Sequence, residues 1–218
     1  MAYDVFHLSY NEENADESWD FLKSKVPTAK RITGISGILE AHRACAKKAL
    51  TSHFFVIDSD NHLTNFDVLN YKIPEWDKQY VHLWYAHNAV NHLEYGWGGL
   101  KLFPKKIFNN PITNIDICTS FPLKIIPTVV SINKFNTSKF DTWRSAFREV
   151  VKLKSNVIND DPINLERIKS WTTMGNHNFG EWSILGANDA LLFVESNQDL
   201  HLINDWSWLQ EYFNSKYK

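Results

Sequence analysis

Asp58 and Asp60 stand one residue apart, directly after the apolar run Phe54-Phe55-Val56-Ile57. A short run rich in aromatic and β-branched residues predicts a buried strand, so both acids fall where a strand gives way to a loop. Strand alternation would turn both carboxylates to one side if the extended geometry continued through Ser59. Two such carboxylates suit a hard divalent cation, which in turn can hold a diphosphate. An isolated Asp-x-Asp is also a common turn or capping pattern. A calcium loop is excluded, because His62 and Leu63 stand where an acid or amide and a glycine are needed. A phosphatase of the haloacid dehalogenase type shares the Asp-x-Asp but wants Thr or Val at His62.

Further chemistry lies on either side. Gly34 and Gly37 bracket the exit of a short strand, where glycines let backbone approach a ligand; a plain tight turn is the alternative. Gly96, Gly98 and Gly99 sit among aromatics in a pliable stretch, and Lys101 behind them can neutralise a phosphate, or be simply solvated. Glu149, with Asp141, is the candidate base for deprotonating an acceptor hydroxyl. The competing reading pairs Glu149 with a neighbouring cation on its helix. His82, His87 and His92 repeat every five residues, which fits neither a helix face nor a zinc pattern.

These residues need elements to hold them. Tyr3 to Tyr10 predicts a strand, Ala15 to Val26 a helix stopped by Pro27, and Lys30 to Ile35 a second strand. Ile38 to Leu50 predicts a helix with a small-residue face, and the Asp58 strand follows. This alternation implies parallel pairing with right-handed crossovers, as in a Rossmann-like, mainly parallel sheet flanked by helices. In such sheets ligands bind at the carboxyl ends of strands. Later come strands over Tyr80 to Tyr85 and Pro127 to Ile132, then helices over Phe140 to Leu153, Asn164 to Thr172 and Trp206 to Phe213. Ala187 to Glu195 reads as helix or strand. No repeat or linker interrupts the chain, so a single domain over 1–218 is expected.

The motif order resembles one group of proteins. Ser9-Tyr10-Asn11-Glu12, Gly34 to His42, Asp58-Ser59-Asp60, Tyr95 to Pro104, Trp143 to Leu153 and Gly180 to Ala187 follow the order of small tailed-phage glycosyltransferases of GT-A type. Relatives in that group modify hydroxymethylated pyrimidines in phage DNA. Gly-Trp-Gly-Gly at 96–99 also resembles a β-1,4-galactosyltransferase motif, but Leu100-Lys101-Leu102 replaces the acids that follow there. The resemblance implies a GT-A fold, a UDP-sugar donor and a divalent metal, Mn2+ or Mg2+. It places Ser9, Tyr10, Glu12, Gly34, Gly37, His42, Asp58, Ser59, Asp60, Gly98, Gly99 and Lys101 around donor and metal. It also suggests His177, where relatives carry an Asp, as a third metal ligand. Transfer to a saccharide or protein, or nucleotide binding without turnover, are the other functions compatible with these residues.

Composition sets outer limits. The 218 residues suffice for a full α/β core, and a net charge of −2 gives no overall pull toward nucleic acid. A DNA acceptor therefore needs a local basic patch, for which Lys105, Lys106 and Lys139 are the candidates. No apolar run would cross a bilayer, so no membrane partner is expected, and nothing indicates a partner protein. Met1 to Asp4 lacks the features of a signal peptide, so Cys45 and Cys118 are expected as reduced thiols in a cytoplasm.

Overall fold

The computed structural model describes residues 2–96, 99–112, 115–158 and 161–218. The chain folds as two compact units. The first comprises Met1–Asn88 and Glu94–Lys134, the second Ala89–Leu93 and Phe135–Lys218.

The described residues of the first unit build one mixed sheet. Its strands are β1 (Asp4–Ser9), β2 (Lys30–Thr33), β3 (His53–Asp58), β4 (Asn61–Leu63), β5 (Val81–Asn88), β6 (Glu94–Tyr95), β7 (Lys101–Pro104) and β8 (Leu123–Asn133). Their spatial order is β2-β1-β3-β7-β5-β8-β4, with β6 against β5. The expected parallel pairing holds for β2-β1-β3 and for β5 with β8. Antiparallel contacts of β7 with β3 and β5, and of β4 with β8, join these halves into a mixed sheet. Pro127 cannot donate to a ladder, and the β5–β8 register shifts beside it, between Trp84 and Ala86.

Helices α1 (Ala15–Lys25) and α2 (Ile38–Lys48) are the two crossovers. Acids Asp16 and Glu17 open α1 and Lys23 and Lys25 close it, in accord with the helix dipole. The strands alternate strictly. Phe6, Leu8, Phe54, Val56 and Phe103 pack with Ala41, Cys45 and Ala46 of α2. Val5, Phe55, Ile57 and Leu102 pack on the opposite face with Leu22 of α1 and with Val26. Each large side chain so enclosed contributes about 1.5–3 kcal/mol of burial free energy. With both faces covered, apolar runs such as Phe54 to Ile57 are required.

The second unit is helical: α3 (Lys139–Lys154), α4 (Ile163–Thr173), α5 (Gly180–Glu195) and α6 (Trp206–Tyr217). Gly186 lets α5 touch the α3 backbone, since a Cβ there would lie 2.3 Å from the Trp143 carbonyl oxygen. Trp143 stacks on Phe147 at 4.7 Å between ring centres, and Phe193, Trp208 and Tyr212 continue the aromatic core. Asp189 is its buried acid, accepting from Trp143 Nε1 at 2.8 Å, Lys216 Nζ at 2.7 Å and Tyr217 OH at 2.7 Å.

Candidate functional site

Three parallel strands end together. Ser9 pairs with Thr33, and Leu8 with Asp58, at the carboxyl ends of β1, β2 and β3. Ser9 Oγ donates to Thr33 Oγ1 at 3.1 Å. The Gly34 N–H bonds the Ser9 carbonyl at 3.2 Å, and the Ser59 N–H bonds the Leu8 carbonyl at 2.9 Å. Tyr10 and Glu12 form the adjoining turn, with the Tyr10 N–H on Glu12 Oε2 at 2.7 Å. Ser9, Tyr10, Glu12, Gly34 and Ser59 are thus joined by short bonds at one end of the sheet.

Between β2 and α2, Gly34 and Gly37 adopt φ of +71° and +87°, which disfavour any residue with a Cβ. A Cβ at either would meet nothing within 4 Å, so both backbones face open space at these strand ends.

Asp58 is the last residue of β3, and Ser59 and Asp60 form a turn into β4. The strand does not continue through Ser59, so alternation does not orient the two acids. The turn is held at both ends instead. Leu8 takes the Ser59 N–H, and the Lys134 N–H donates to the Asp60 carbonyl at 2.7 Å. Beyond it, Asn61 Nδ2 donates to Asn133 Oδ1 at 2.7 Å and Ser131 Oγ at 3.0 Å, all three residues being buried. These polar residues were missed in the sequence, although two asparagines 72 positions apart carry no local signal of pairing.

Lys101 forms an ion pair with Asp58 Oδ2. The register explains it. Lys101 lies opposite Val56 on β7, and Asp58 is two residues along the same face, so the pair is diagonal across the ladder. Burial works against the Lys101 ammonium, but Asp58, with smaller help from Cys118 and Asp60, outweighs it and raises the lysine pKa. The Asp58 charge also opposes the depression of His7, which burial foremost, aided by Arg31, pushes down to about 4. Burial, reinforced by Asp58, pushes the Cys45 thiol up to about 12, so it is inert.

Three further residues expected around the donor have these contacts. His42 is a core residue: its ring is buried, bonds the Ile38 carbonyl through Nδ1 at 2.8 Å, and meets Phe103 edge-on. Gly99 serves packing, since a Cβ there would sit 2.1 Å from the Trp84 carbonyl oxygen. Lys101 stays in the candidate site, on Asp58. Gly98 lies outside the described residues.

Asp141, Glu149 and His177 belong to the second unit. Asp141 is in the first turn of α3, where its N–H bonds the Ser138 hydroxyl oxygen at 3.0 Å. Its Oδ2 accepts from Ser138 at 3.0 Å and Thr137 at 3.1 Å, which is a helix-capping arrangement. Glu149 is fully enclosed and pairs with Lys152 at 3.1 Å, one turn on. His177 is exposed in the loop before α5, at φ +65°, with its ring 6.1 Å from that of His92.

Among the described residues, no three or more His, Cys, Asp or Glu form a group that could hold a metal ion. Asp58 and Asp60 are the residues that would hold a divalent ion if one were brought in with a diphosphate. Magnesium-like ions are typically held by one or two carboxylates together with phosphate oxygens and water.

The fold and site define an α/β protein with an acidic turn at the carboxyl ends of parallel strands, a common ligand position in open sheets. No family model matches the chain, and a search of curated proteins found no match. Among solved structures it is similar to the mannosyltransferase PcManGT from Pyrobaculum calidifontis in complex with GDP-Man and Mn2+. The identity is 10% and the TM-score 0.49, over 91% of this chain and 77% of that one. A likeness this distant fixes neither activity, donor nor acceptor, which rest on the residues themselves. Among the described residues, no helix is long and apolar enough to cross a membrane.

Proposed function

We propose that the protein is a GT-A-type glycosyltransferase that moves a sugar from a nucleoside diphosphate sugar to a hydroxyl group. The observation that carries the reading is the meeting of three strand ends, two open glycines and the Asp58-Ser59-Asp60 turn in one place. A divalent ion, Mn2+ or Mg2+, at that turn supplies charge neutralisation for the departing nucleoside diphosphate. The chain's own part is positioning. Backbone at Gly34 and Gly37 leaves space for the donor, and the bonded Ser9–Thr33 and Leu8–Ser59 contacts fix the strand ends beneath it.

UDP as the nucleotide and a hydroxymethylated pyrimidine of DNA as the acceptor follow from the resemblance in motif order. A duplex acceptor base would need to leave the stack to react. A saccharide or protein acceptor is the alternative, and three cations of the second unit have internal partners. Arg144 lies over Trp206 at 4.2 Å, Arg148 bonds the Ile203 carbonyl at 2.8 Å, and Lys152 pairs with Glu149. Those three cations are engaged internally rather than offered to phosphates. The contacts of Asp141 and Glu149 likewise favour structural roles, and we assign the acceptor base to neither.

Incubation with a panel of UDP- and GDP-sugars and hydroxymethylcytosine DNA, read by nucleoside mass spectrometry, tests donor and acceptor together. A sugar-bearing nucleoside establishes the DNA reading. Donor turnover only with saccharide or protein acceptors moves the alternative ahead. Binding of nucleotide with no turnover on any acceptor leaves a nucleotide-binding protein.

A further inference from the structure

We propose that the first unit docks on the surface of a lipid bilayer bearing anionic headgroups, through the amino ends of its parallel strands and with Leu50 and Trp76 as apolar anchors. The inference goes beyond the sugar-nucleotide reading and does not depend on it, since it concerns the end of the sheet opposite the Asp58 turn.

The register defines this end. β1, β2 and β3 run parallel, and β7 returns antiparallel with Pro104 opposite His53, the first residue of β3. β5 and β8 begin at the same end, since His82 lies opposite Leu102 and Val81 pairs with Leu123. The turn from α2 into β3, the segment before β5 and the residues after β7 therefore meet there. Short bonds join them. The Lys105 N–H donates to the Ser52 carbonyl at 2.8 Å and Lys105 Nζ to the Ala49 carbonyl at 2.7 Å. His53 Nε2 donates to the Lys78 carbonyl at 2.9 Å.

Two apolar side chains stand out from this end. Leu50 is 87% exposed and Trp76 75%, the two most exposed large apolar side chains among the described residues. Scattered exposed apolar residues are ordinary, but these two stand on fixed backbone that holds them outward. Asp4 Oδ2 accepts from the Leu50 N–H at 2.7 Å and from the Thr51 N–H at 2.9 Å. The Asp77 N–H donates to the Pro74 carbonyl at 2.9 Å, and Gln79 Nε2 to the Trp76 carbonyl at 2.9 Å, with Asp77 itself buried. A leucine and a tryptophan so held suit the boundary between headgroups and acyl chains, where an indole buries its ring and keeps its N–H wet.

Charge selects the headgroup. Lys47 and Lys48, just ahead of Leu50, and Lys106 are exposed. Lys78 and Lys106 both act on His53, which places them together. Lys78 pairs with Glu75, but both side chains are exposed and such a pair is weak. Asp4 turns inward to Lys30 and the turn backbone. A protein of net charge −2 thus presents a local cationic end, and each lysine beside an anionic leaflet adds severalfold to affinity. Nucleic acid would use the lysines and leave Leu50 in water, whereas a bilayer uses both. The lack of a spanning segment bears on crossing a membrane, and not on docking at its surface.

The test is co-sedimentation with phosphatidylcholine vesicles, with and without roughly one-third phosphatidylserine. Wild-type protein should sediment with the anionic vesicles and be released as salt rises. Leu50→Ser and Trp76→Ala should each weaken binding about tenfold. Lys47→Gln with Lys48→Gln and Lys106→Gln should weaken it at least about tenfold and flatten its salt dependence. Circular dichroism checks each fold. Bromine-labelled acyl chains should quench wild-type fluorescence, and the milder Trp76→Phe should lose most of that quenching while still binding. Wild-type protein that stays free of anionic vesicles overturns the proposal, whether the same face then binds DNA or joins two copies in sedimentation equilibrium. Vesicle binding unmoved by the folded Leu50, Trp76 and lysine variants puts the contact elsewhere and overturns it too.

Discussion

Each unit of the molecule contains a largely buried carboxylate with a lysine beside it, and the two are built differently. In the second unit Glu149 pairs with Lys152, three residues on along α3. Asp189 there is enclosed by Trp143, Lys216 and Tyr217. In the first unit Asp58 pairs with Lys101, 43 residues away on a neighbouring strand, at the end of an apolar face. The helical pair closes locally, and the Glu149 carboxyl is wholly enclosed. The sheet pair depends on register and borders open backbone at Gly34 and Gly37. The closed pair is sealed within one helix, whereas the sheet pair keeps two charges at the edge of the strand ends.

The largest effect should come from breaking the closed pair. Glu149→Gln leaves Lys152 without its countercharge in a buried setting and should cost about 3–5 kcal/mol in urea unfolding. Turnover per folded molecule should be retained. A variant of wild-type stability with reduced turnover would return Glu149 to the catalytic machinery. Next comes Gly99→Ala. Its Cβ would enter the Trp84 carbonyl, so a loss of about 3 kcal/mol is expected, measured as a lower denaturant midpoint. Unchanged stability would show that the β5–β7 approach is not tight in solution.

Acid should separate native from unfolded protein through His7. Its ordinary value of 6.5 is pushed down to about 4, first by burial. On acidification the unfolded chain takes up this proton near 6.5, while the folded chain resists until about 4. The unfolded state binds more protons across that window, so stability falls as pH falls, by at most about 3 kcal/mol for this group. Burial shifts His42, His53, His62 and His82 of the same unit downward too, with the same sign. Urea midpoints at pH 7 and pH 5 measure the loss, and His7→Gln should reduce it. A midpoint independent of pH over that range would contradict the buried neutral histidine.

The smallest effect concerns the acceptor. Lys105 bonds the Ala49 carbonyl at 2.7 Å, Lys106 is exposed, and Lys139 lies over Trp182 at 5.3 Å. Neutralising all three should leave stability within about 0.5 kcal/mol. If DNA is the acceptor, the same change weakens DNA binding and flattens its salt dependence, measured by fluorescence anisotropy over a salt series. Wild-type protein without salt-sensitive DNA binding would exclude the DNA acceptor.

How much of this could be read beforehand depends on range. β1, α1, β2, α2 and β3 declare themselves through apolar periodicity and through Pro27, Gly34 and Gly37. Each signal is local. The acidic turn was legible for the same reason. β4 is three residues long and exists through its pairing with β8, and β7 carries Lys101 inside an apolar run. Neither has a local signature. The Asp58–Lys101 pair follows from the Val56–Lys101 register, and the Asn61–Asn133 bond from β4 meeting β8. Such contacts are set by tertiary pairing, which one sequence does not display. The burial of His42 could not be read from the sequence, because a helix ahead of a strand end has both an inner and an outer face. Its burial between Phe103 and Phe108 was decided by the sheet.

The central claim is that the β3–β4 turn binds a nucleoside diphosphate through a divalent ion on its acids. The direct measurement is calorimetric binding of UDP and of GDP, with Mn2+ and with chelator, to wild-type protein and Asp60→Ala. The account predicts that at least one nucleotide loses about 100-fold in affinity, near 2.7 kcal/mol, on chelation. Asp60→Ala should lose a similar amount with its circular dichroism unchanged. Nucleotide affinity that is equal with Mn2+ and with chelator, and equal in folded Asp60→Ala, would contradict it.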